Sequence, residues 1–361
     1  METFKLLKTL TETDAPSGYE AQIAPVVQEL WEPYVDKITT DRVGSLIAIK
    51  HGRSPEPRPR LLLAAHMDEI GLMVARIVEH EGQGFLRVTN LGGVDRRQAY
   101  AQLVTVHGRK ELRGVIGCLP PHLLPDDRKD KAYGYEDLVI DLGLPLADVE
   151  ANVSIGDFVS FHQPLRKLLG QRVSGKALDN RASVAAVTIC LEYLHGRDHD
   201  WDVVAVATAQ EETRLLGAYT SAFSQRPDAA IAIDVTFGKG PSTNDENTFE
   251  LGSGPVLDIG PNVHPGIYKA LQDAAEALEM SVNIGTHSRY SGTDAFGLQI
   301  ARDGIPTGLV GIPLRYMHTM VESLDLKDVE RTGRLLGELI VRLDAEFISK
   351  ITAALMEEAK S

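Results

Sequence analysis

The hydrophobic pattern of this chain changes character twice along its length. The opening segment, "METFKLLKTLTETDAPSG", reads as an amphipathic helix that ends at Asp14-Ala15-Pro16. From Leu61 a short apolar run begins, "LLLAAHMDEIGLMVARI". Between about Gly71 and Pro164 short alternating segments take over, such as "GFLRVTN", "QLVTVHGRK", "LRGVIGCL" and "IGDFVSF". Gly92-Gly93, Gly108 and Gly156-Asp157 punctuate them, so this block is predicted to be all-β. After it, helical and strand patterns alternate. A helix is predicted from about Asn180 with Val184, Val187, Leu191 and Leu194 on one face, then a strand from Val203 to Ala209 and a helix near Leu215 to Phe223. A strand from Ala229 to Ile233, helices from Pro265 to Met280 and from Thr293 to Ala301, a strand from Gly308 to Ile312 and a long helix from Leu326 complete the pattern.

Alternating helices and strands predict an α/β sheet domain. The simplest arrangement builds it from both ends of the chain, residues 1–70 and 165–361, with the β-rich block 71–164 inserted in its middle. The segment "GRSPEPRPR" at 52–60 reads as a surface loop, and no internal repeat or low-complexity segment interrupts the chain. With 361 residues, 43% of them hydrophobic, the chain can bury a large core in more than one domain. Its formal net charge of −14, spread rather than clustered, argues against nucleic-acid and anionic-membrane partners. No apolar stretch approaches the roughly 18 residues that span a bilayer, and the first residues do not read as a signal peptide, so a cytoplasmic protein is expected. Cys118 and Cys190 both lie in apolar stretches and read as buried free thiols.

Three predicted strands of the α/β part end in chemistry. Leu61–Ala65 runs into His66-Met67-Asp68, Val203–Ala209 into Glu211-Glu212, and Ala229–Ile233 into Asp234. Neighbouring parallel strands bring such ends to one crevice, where ligands bind. Like charges gathered there raise one another's pKa unless a cation compensates them, so metal ions are the economical explanation. "KALDNRAS" adds Asp179 at the start of a helix, a position that taken alone reads as an N-cap. "RYMHTMVESLDL" adds His318 in a loop before a helix capped by Asp325. His51, His80, His107, His122, His162, His195, His199 and His287 read as surface or core residues, and His264 stays open between the two readings.

The series "AHMDEIG", "KALDNR", "QEE", "IDV", "SGTDA" and "RYMHT" resembles, in order and over nearly the whole chain, the tetrahedral aminopeptidase family of dinuclear metallopeptidases. The resemblance implies a zinc-peptidase-like α/β fold, a mixed sheet flanked by helices, with an inserted β-rich, PDZ-like dimerisation domain. It implies two divalent metal ions per subunit, zinc or cobalt, with manganese as the third choice. Asp179 would bridge them, His66 and Asp234 would complete one site, and Glu212 and His318 the other. Glu211 would be the general base, and Asp68 the carboxylate that orients His66. Two ions roughly 3.5 Å apart polarise a peptide carbonyl and acidify a bridging water, and only a carboxylate has two oxygens with which to bridge them. In an extended chain Glu211 and Glu212 would point to opposite sides, so they could not serve one position; which is which comes from the resemblance.

The resemblance further implies an aminopeptidase acting on short peptides and dimers assembled into a tetrahedral dodecamer around an internal chamber. Where the family commonly has Val-Gly-Leu-Arg, this chain has Thr213-Arg214-Leu215-Leu216, which changes the local substrate contacts. In "THSRYSGTDAFG", Thr293 or Ser291 reads as a helix cap and Asp294 as a helix-start charge or a site-shaping residue. A related metal-dependent deacylase or carboxypeptidase is the nearest rival, and a non-enzymatic scaffold is opposed by the intact Glu211. A polysaccharide hydrolase fits less well, because glycosidases set two carboxyl groups about 5 to 9.5 Å apart across one bond and need no metal.

Overall fold

Leu62, Leu63, Ala64, Val204, Ala205 and Val206 are all buried because their strands are covered on both faces. Side chains alternate across a strand. Leu61, Leu63, Ala65, Val203 and Ala205 therefore pack on one side with residues of helices Thr3–Thr11, Leu178–Tyr193, Pro265–Ala277 and Leu326–Arg342. Leu62, Ala64, Val204 and Val206 pack on the other with helices Leu216–Gln225 and Asp294–Gln299. Such double burial produces continuous apolar runs rather than alternation, as expected of parallel strands.

This computed structural model describes residues 2–124, 126, 131, 133–241, 243 and 245–358. Its main sheet has eight strands, in the order Lys37–Thr40, Leu46–Lys50, Asp202–Thr208, Arg60–His66, Ala229–Phe237, Thr307–Leu314, Val256–Ile259, Asn283–Thr286. The four central strands, from Asp202–Thr208 to Thr307–Leu314, are mutually parallel, and the flanking strands Leu46–Lys50 and Val256–Ile259 join them antiparallel. The mixed sheet flanked by helices is thus the expected α/β class. One strand is longer than its apolar run: Ala229–Phe237 continues past Ile233 because Asp234 to Phe237 pair with Gly311 to Leu314. Asp234 consequently sits inside a strand rather than beyond its end. The C-terminal helical stretch divides into Leu326–Arg342, capped by Asp325 as expected, and Phe347–Glu358. His264 is resolved as a helix cap, its ring accepting the Gly266 N–H.

The alternating block closes into a six-stranded antiparallel barrel: Gly71–His80, Gln83–Leu91, Val139–Pro145, Glu111–Gly117, Leu103–His107, Phe158–Phe161. It has a core of its own, with Leu72, Val74, Leu86, Val104, Ile116, Ile140 and Val159 at its centre. Cys190 is buried, whereas Cys118, on the barrel, is only half-buried, contrary to expectation; both are free thiols. Among the described residues no helix is long and apolar enough to cross a membrane.

A buried ion cluster fastens the segments that lead to the strand ends. Lys176 Nζ reaches both oxygens of Glu69, at 2.8 and 2.7 Å, and Asp14 Oδ1 at 2.8 Å. Glu69 also accepts the Ala15 N–H. Burial opposes ionisation of Asp14, but hydrogen bonding to His107 of the barrel and the charge of Lys176 outweigh it and hold its pKa well below the usual range. The stability Asp14 contributes is therefore present above its unfolded-state pKa, near 3.8, and is lost as pH falls below that value. Lys176→Met leaves Glu69 buried without its counter-charge and should cost about 3–5 kcal/mol. Urea unfolding should show this loss at pH 7, with a shallower fall in stability between pH 5 and 3 than in the parent; an unchanged midpoint would refute the role of the cluster.

Candidate active site

His66 is the last residue of its strand and is in register with Thr208 of the next. Asp234 faces Gly311 across the neighbouring pair. Asp179 stands just before the regular part of Leu178–Tyr193, with non-helical torsions, φ −76° and ψ 104°, yet it is not the cap its position suggests, because its carboxylate accepts no N–H of that helix among the described residues. Its side chain is free to point into the crevice, while Asn180 Nδ2 ties the turn to the Ile233 carbonyl at 2.9 Å. Nor is the chain extended at the doublet. The strand ends at Thr208, Gln210 is left-handed, and Glu211–Arg214 is a single helical turn. The opposite-sides argument for Glu211 and Glu212 therefore fails in its premise; the helical turn separates the two side chains instead.

The side chains named from the sequence converge. His66 Nε2 is 3.2 Å from Asp179 Oδ1, 3.8 Å from Glu211 Oε2 and 3.9 Å from Asp234 Oδ1. His318 Nε2 is 3.4 Å from Asp179 Oδ2 and 3.6 Å from Glu212 Oε1. The two oxygens of Asp179 thus face different histidines. Donor atoms of His66, Glu211 and Asp234 lie within 4.8 Å of one another, as do those of His66, Asp179 and Glu212, and either group could hold a metal ion. Asp68 approaches His66 Nδ1 through Oδ1 at 3.5 Å and through its carbonyl at 3.2 Å. Its carboxylate also accepts the N–H groups of Glu211 and Glu212, both at 3.1 Å, so it fixes the doublet as well as the histidine.

Electrostatics follows from burial and crowding. Burial, with Asp179 beside it, pushes Glu212 up to about 7. Burial also raises Glu211 well above its ordinary value, with Asp234, Asp294 and Glu212 adding to the shift against His66. Asp234 is raised by burial and by Asp179. Asp179 goes the other way: burial opposes its charge, but hydrogen bonds from His318 and His66 hold it low. His318 rises to about 9, chiefly through its hydrogen bond with Asp179. These directions describe a site with more negative charge than its histidines can balance, and a donor set of imidazole nitrogens and carboxylate oxygens suits divalent cations.

Over residues 44–335 the chain matches the M42 glutamyl aminopeptidase family. It belongs to that family. It is 34% identical to the lysyl aminopeptidase of Pyrococcus furiosus over 349 residues, 95% of this chain and 98% of that one. A TET aminopeptidase from a marine-sediment thaumarchaeon has the same fold with a TM-score of 0.89 and 31% identity, covering 97% of this chain and all of that one. The TET1 peptidase of Pyrococcus horikoshii, described as assembling into a tetrahedron or a large octahedral shell, matches with a TM-score of 0.82 and 31% identity over 95% of this chain and all of its own. The enzyme is a peptide-bond hydrolase, an aminopeptidase of a metallopeptidase family.

Several residues of the enzyme's site escaped the sequence reading. Glu322, fully buried, accepts the N–H of Asp179 at 3.0 Å and that of His318 at 2.9 Å, joining two distant segments. Nothing in "HTMVE" marks it. Asp294, named from the sequence as a helix-start charge or a site-shaping residue, follows the capping Thr293; what escaped is that it is buried, hydrogen-bonded by Thr208 Oγ1, and raised by burial to about 6. The barrel reaches the site through Gly93, where a Cβ would meet His318 Nδ1 at 2.5 Å; only the turn signal of the Gly92-Gly93 pair was visible beforehand. His287 and Asp258 line the same cavity of about 380 Å³. Glu322→Ala removes the anchor of both Asp179 and His318 and should weaken metal binding by about 10–100-fold, measured by competition with a chromogenic chelator; unaltered affinity would show that the two segments hold themselves.

Proposed function

We propose that this aminopeptidase carries two divalent ions, zinc or cobalt, with manganese as the third choice, and releases N-terminal residues from short peptides. Asp179 would be shared by the two ions, with His66 and Asp234 holding one and Glu212 and His318 the other, and Glu211 would be the general base. The observation that carries this reading is Asp179 itself, with one oxygen 3.2 Å from His66 and the other 3.4 Å from His318. Two bound ions supply polarisation of the scissile carbonyl and a water of lowered pKa. Glu211 faces the His66 half of the crevice and takes the proton from the attacking water, then returns it to the leaving amine. Burial, by raising its pKa, makes Glu211 the stronger base for taking that proton up. Asp68 acts indirectly, holding the His66 ring and the backbone of the doublet. The surplus carboxylates favour a substrate with a free ammonium group, which supports exopeptidase action over the deacylase and carboxypeptidase readings.

The assembly belongs to the same proposal. TET relatives of known structure form closed shells, and the barrel of this chain exposes Leu103 and its cross-strand partner Val115 together with Leu119 and Leu123. We read residues 71–164 as an inserted dimerisation domain, residues 1–70 and 165–361 as the catalytic domain, and the oligomer as dimers built into a tetrahedral dodecamer. Two unpaired cysteines fit a reducing compartment such as the cytoplasm.

Glu211→Gln should lower kcat by at least about 10²-fold, the smaller end of what a positioned proton carrier contributes, while two equivalents of metal still bind by elemental analysis. Near-normal turnover in that variant would remove Glu211 from the role of base. Exhaustive chelation should abolish cleavage of aminoacyl arylamides and add-back of zinc, cobalt or manganese should restore it. The N-acetylated twins should stay uncleaved throughout; their cleavage would mark a deacylase instead.

A further inference from the structure

The turn that carries Glu211 is held by its backbone amides. Gln210, which leads into the helical turn Glu211–Arg214, is left-handed with φ 58° and ψ 36°, a conformation that residues with side chains rarely adopt. Its N–H donates to Glu20 Oε1 at 2.9 Å. The next two amides, those of Glu211 and Glu212, donate to the two oxygens of Asp68. The first N–H groups of a helical turn have no carbonyl partner within it, and here two buried carboxylates supply the acceptors for three in a row. Glu20 does so from 190 residues away in the chain.

Glu20 reaches that amide from a strap, residues 15–20, that is itself fastened on two sides. Glu20 is 4% exposed, and the same Oε1 accepts the Gly18 N–H at 2.8 Å. Gly18 has φ +91°, which only a glycine takes up at little cost, so the strap can fold back tightly on itself there. On one side the strap pairs with the segment that follows His66. The Ser17 N–H donates to the Glu69 carbonyl at 3.0 Å, and the Glu69 N–H to the Ala15 carbonyl at 3.1 Å. The buried Ser17 also brings its hydroxyl to 3.4 Å from that of Thr213 in the Glu211 turn. On the other side Tyr19 donates to the Gly156 carbonyl at 2.6 Å and stacks on Phe158 of the barrel. Glu20 is thus a buried acceptor on a fixed support, and it lies outside the residues that line the cavity. The Gln210 side chain adds one further tie, from Nε2 to the Val43 carbonyl at 3.2 Å.

We propose that Glu20 is a positioning residue for the reaction: by accepting the Gln210 amide it holds that residue in its left-handed form and so keeps the Glu211 carboxylate aimed at the attacking water. The inference rests on the reading of Glu211 as the general base. Without this acceptor the unfavourable torsions of Gln210 relax, and Glu211, the next residue, moves with them. Misplacing a reacting group by about 1 Å costs on the order of 100-fold in rate. Glu212 is one residue further on, with its own amide held by Asp68, so the loss falls on the base first. One oxygen with two lone pairs suffices for the two amides, so the role depends on the reach of the side chain and not on its charge.

The test uses the full-length, metal-loaded enzyme and an aminoacyl arylamide that it cleaves. Glu20→Ala should lower kcat by about tenfold or more, with KM within about threefold of the parent and an unchanged metal content by elemental analysis. Glu20→Gln, which keeps a carbonyl oxygen at full reach, should restore kcat to within about threefold of the parent. Glu20→Asp, which keeps the charge but is one methylene shorter, should be as slow as Glu20→Ala. This contrast decides the matter even if Glu20→Ala fails to fold: a fast Asp variant beside a slow Gln variant overturns the proposal. In a Glu211→Gln background, Glu20→Ala should change the residual kcat by less than about twofold, because the group it positions is already gone. A further loss of the full size there, or a loss of bound metal in Glu20→Ala, overturns the proposal as well. Near-normal turnover of Glu211→Gln alone removes the base on which the inference rests. An inactive Glu211→Gln beside a Glu20→Ala of parental kcat sinks only the positioning role.

Discussion

Repulsion among buried carboxylates is the constraint around which this enzyme is organised. Asp179, Glu211, Glu212 and Asp234 meet within reach of His66 and His318, in a crevice where water cannot dilute their charge. Such a group is stable only if its geometry is imposed by the rest of the fold and if cations share it. The pKa directions record the conflict: Glu211, Glu212 and Asp234 are pushed toward protonation, while Asp179, between two imidazoles, stays ionised. Burial that would penalise a lone ion thus becomes the means by which a cation site is held open.

Imposing that geometry falls to backbone hydrogen bonds more than to side-chain packing near the site. Asp68 holds two consecutive N–H groups of the doublet, and Glu322 holds one N–H from the Asp179 turn and one from the His318 loop. Each carboxylate therefore couples chain segments that are far apart in sequence. The Lys176, Glu69 and Asp14 cluster extends the scheme outward, since Lys176 lies three residues before Asp179 and Glu69 directly follows Asp68. Its link to His107 brings the barrel into the same network, and Gly93 brings the barrel to the edge of the site itself.

The same sheet lines the crevice along its whole length. Parallel central strands deliver His66, the doublet and Asp234 to one end, where βα connections leave a crevice. The antiparallel strand Val256–Ile259 and its neighbour Asn283–Thr286 then extend the floor of that crevice sideways to Asp258 and His287. A glycine at 311 keeps the two regions continuous.

The sequence by itself determined the fold class, because doubly buried strands read as apolar runs and the barrel strands as alternation. It also determined which residue types sit at the strand ends, since a carboxylate following a buried strand has few structural uses. It did not reveal that Asp234 lies within its strand, that Glu211 and Glu212 begin a helical turn, or that Asp179 is no cap. Those outcomes depend on pairing with Thr307–Leu314 and on backbone torsions at Gln210 and Asp179, which local pattern does not encode. Glu322, the buried contact of Asp294 and the Asp258–His287 pair were illegible for a related reason. Each acts through a partner dozens to more than a hundred residues away or within another element, Glu322 on Asp179, Asp294 on Thr208, His287 on Asp258. Single residues declare their chemistry in sequence, whereas contacts between distant segments are decided only when the tertiary structure closes.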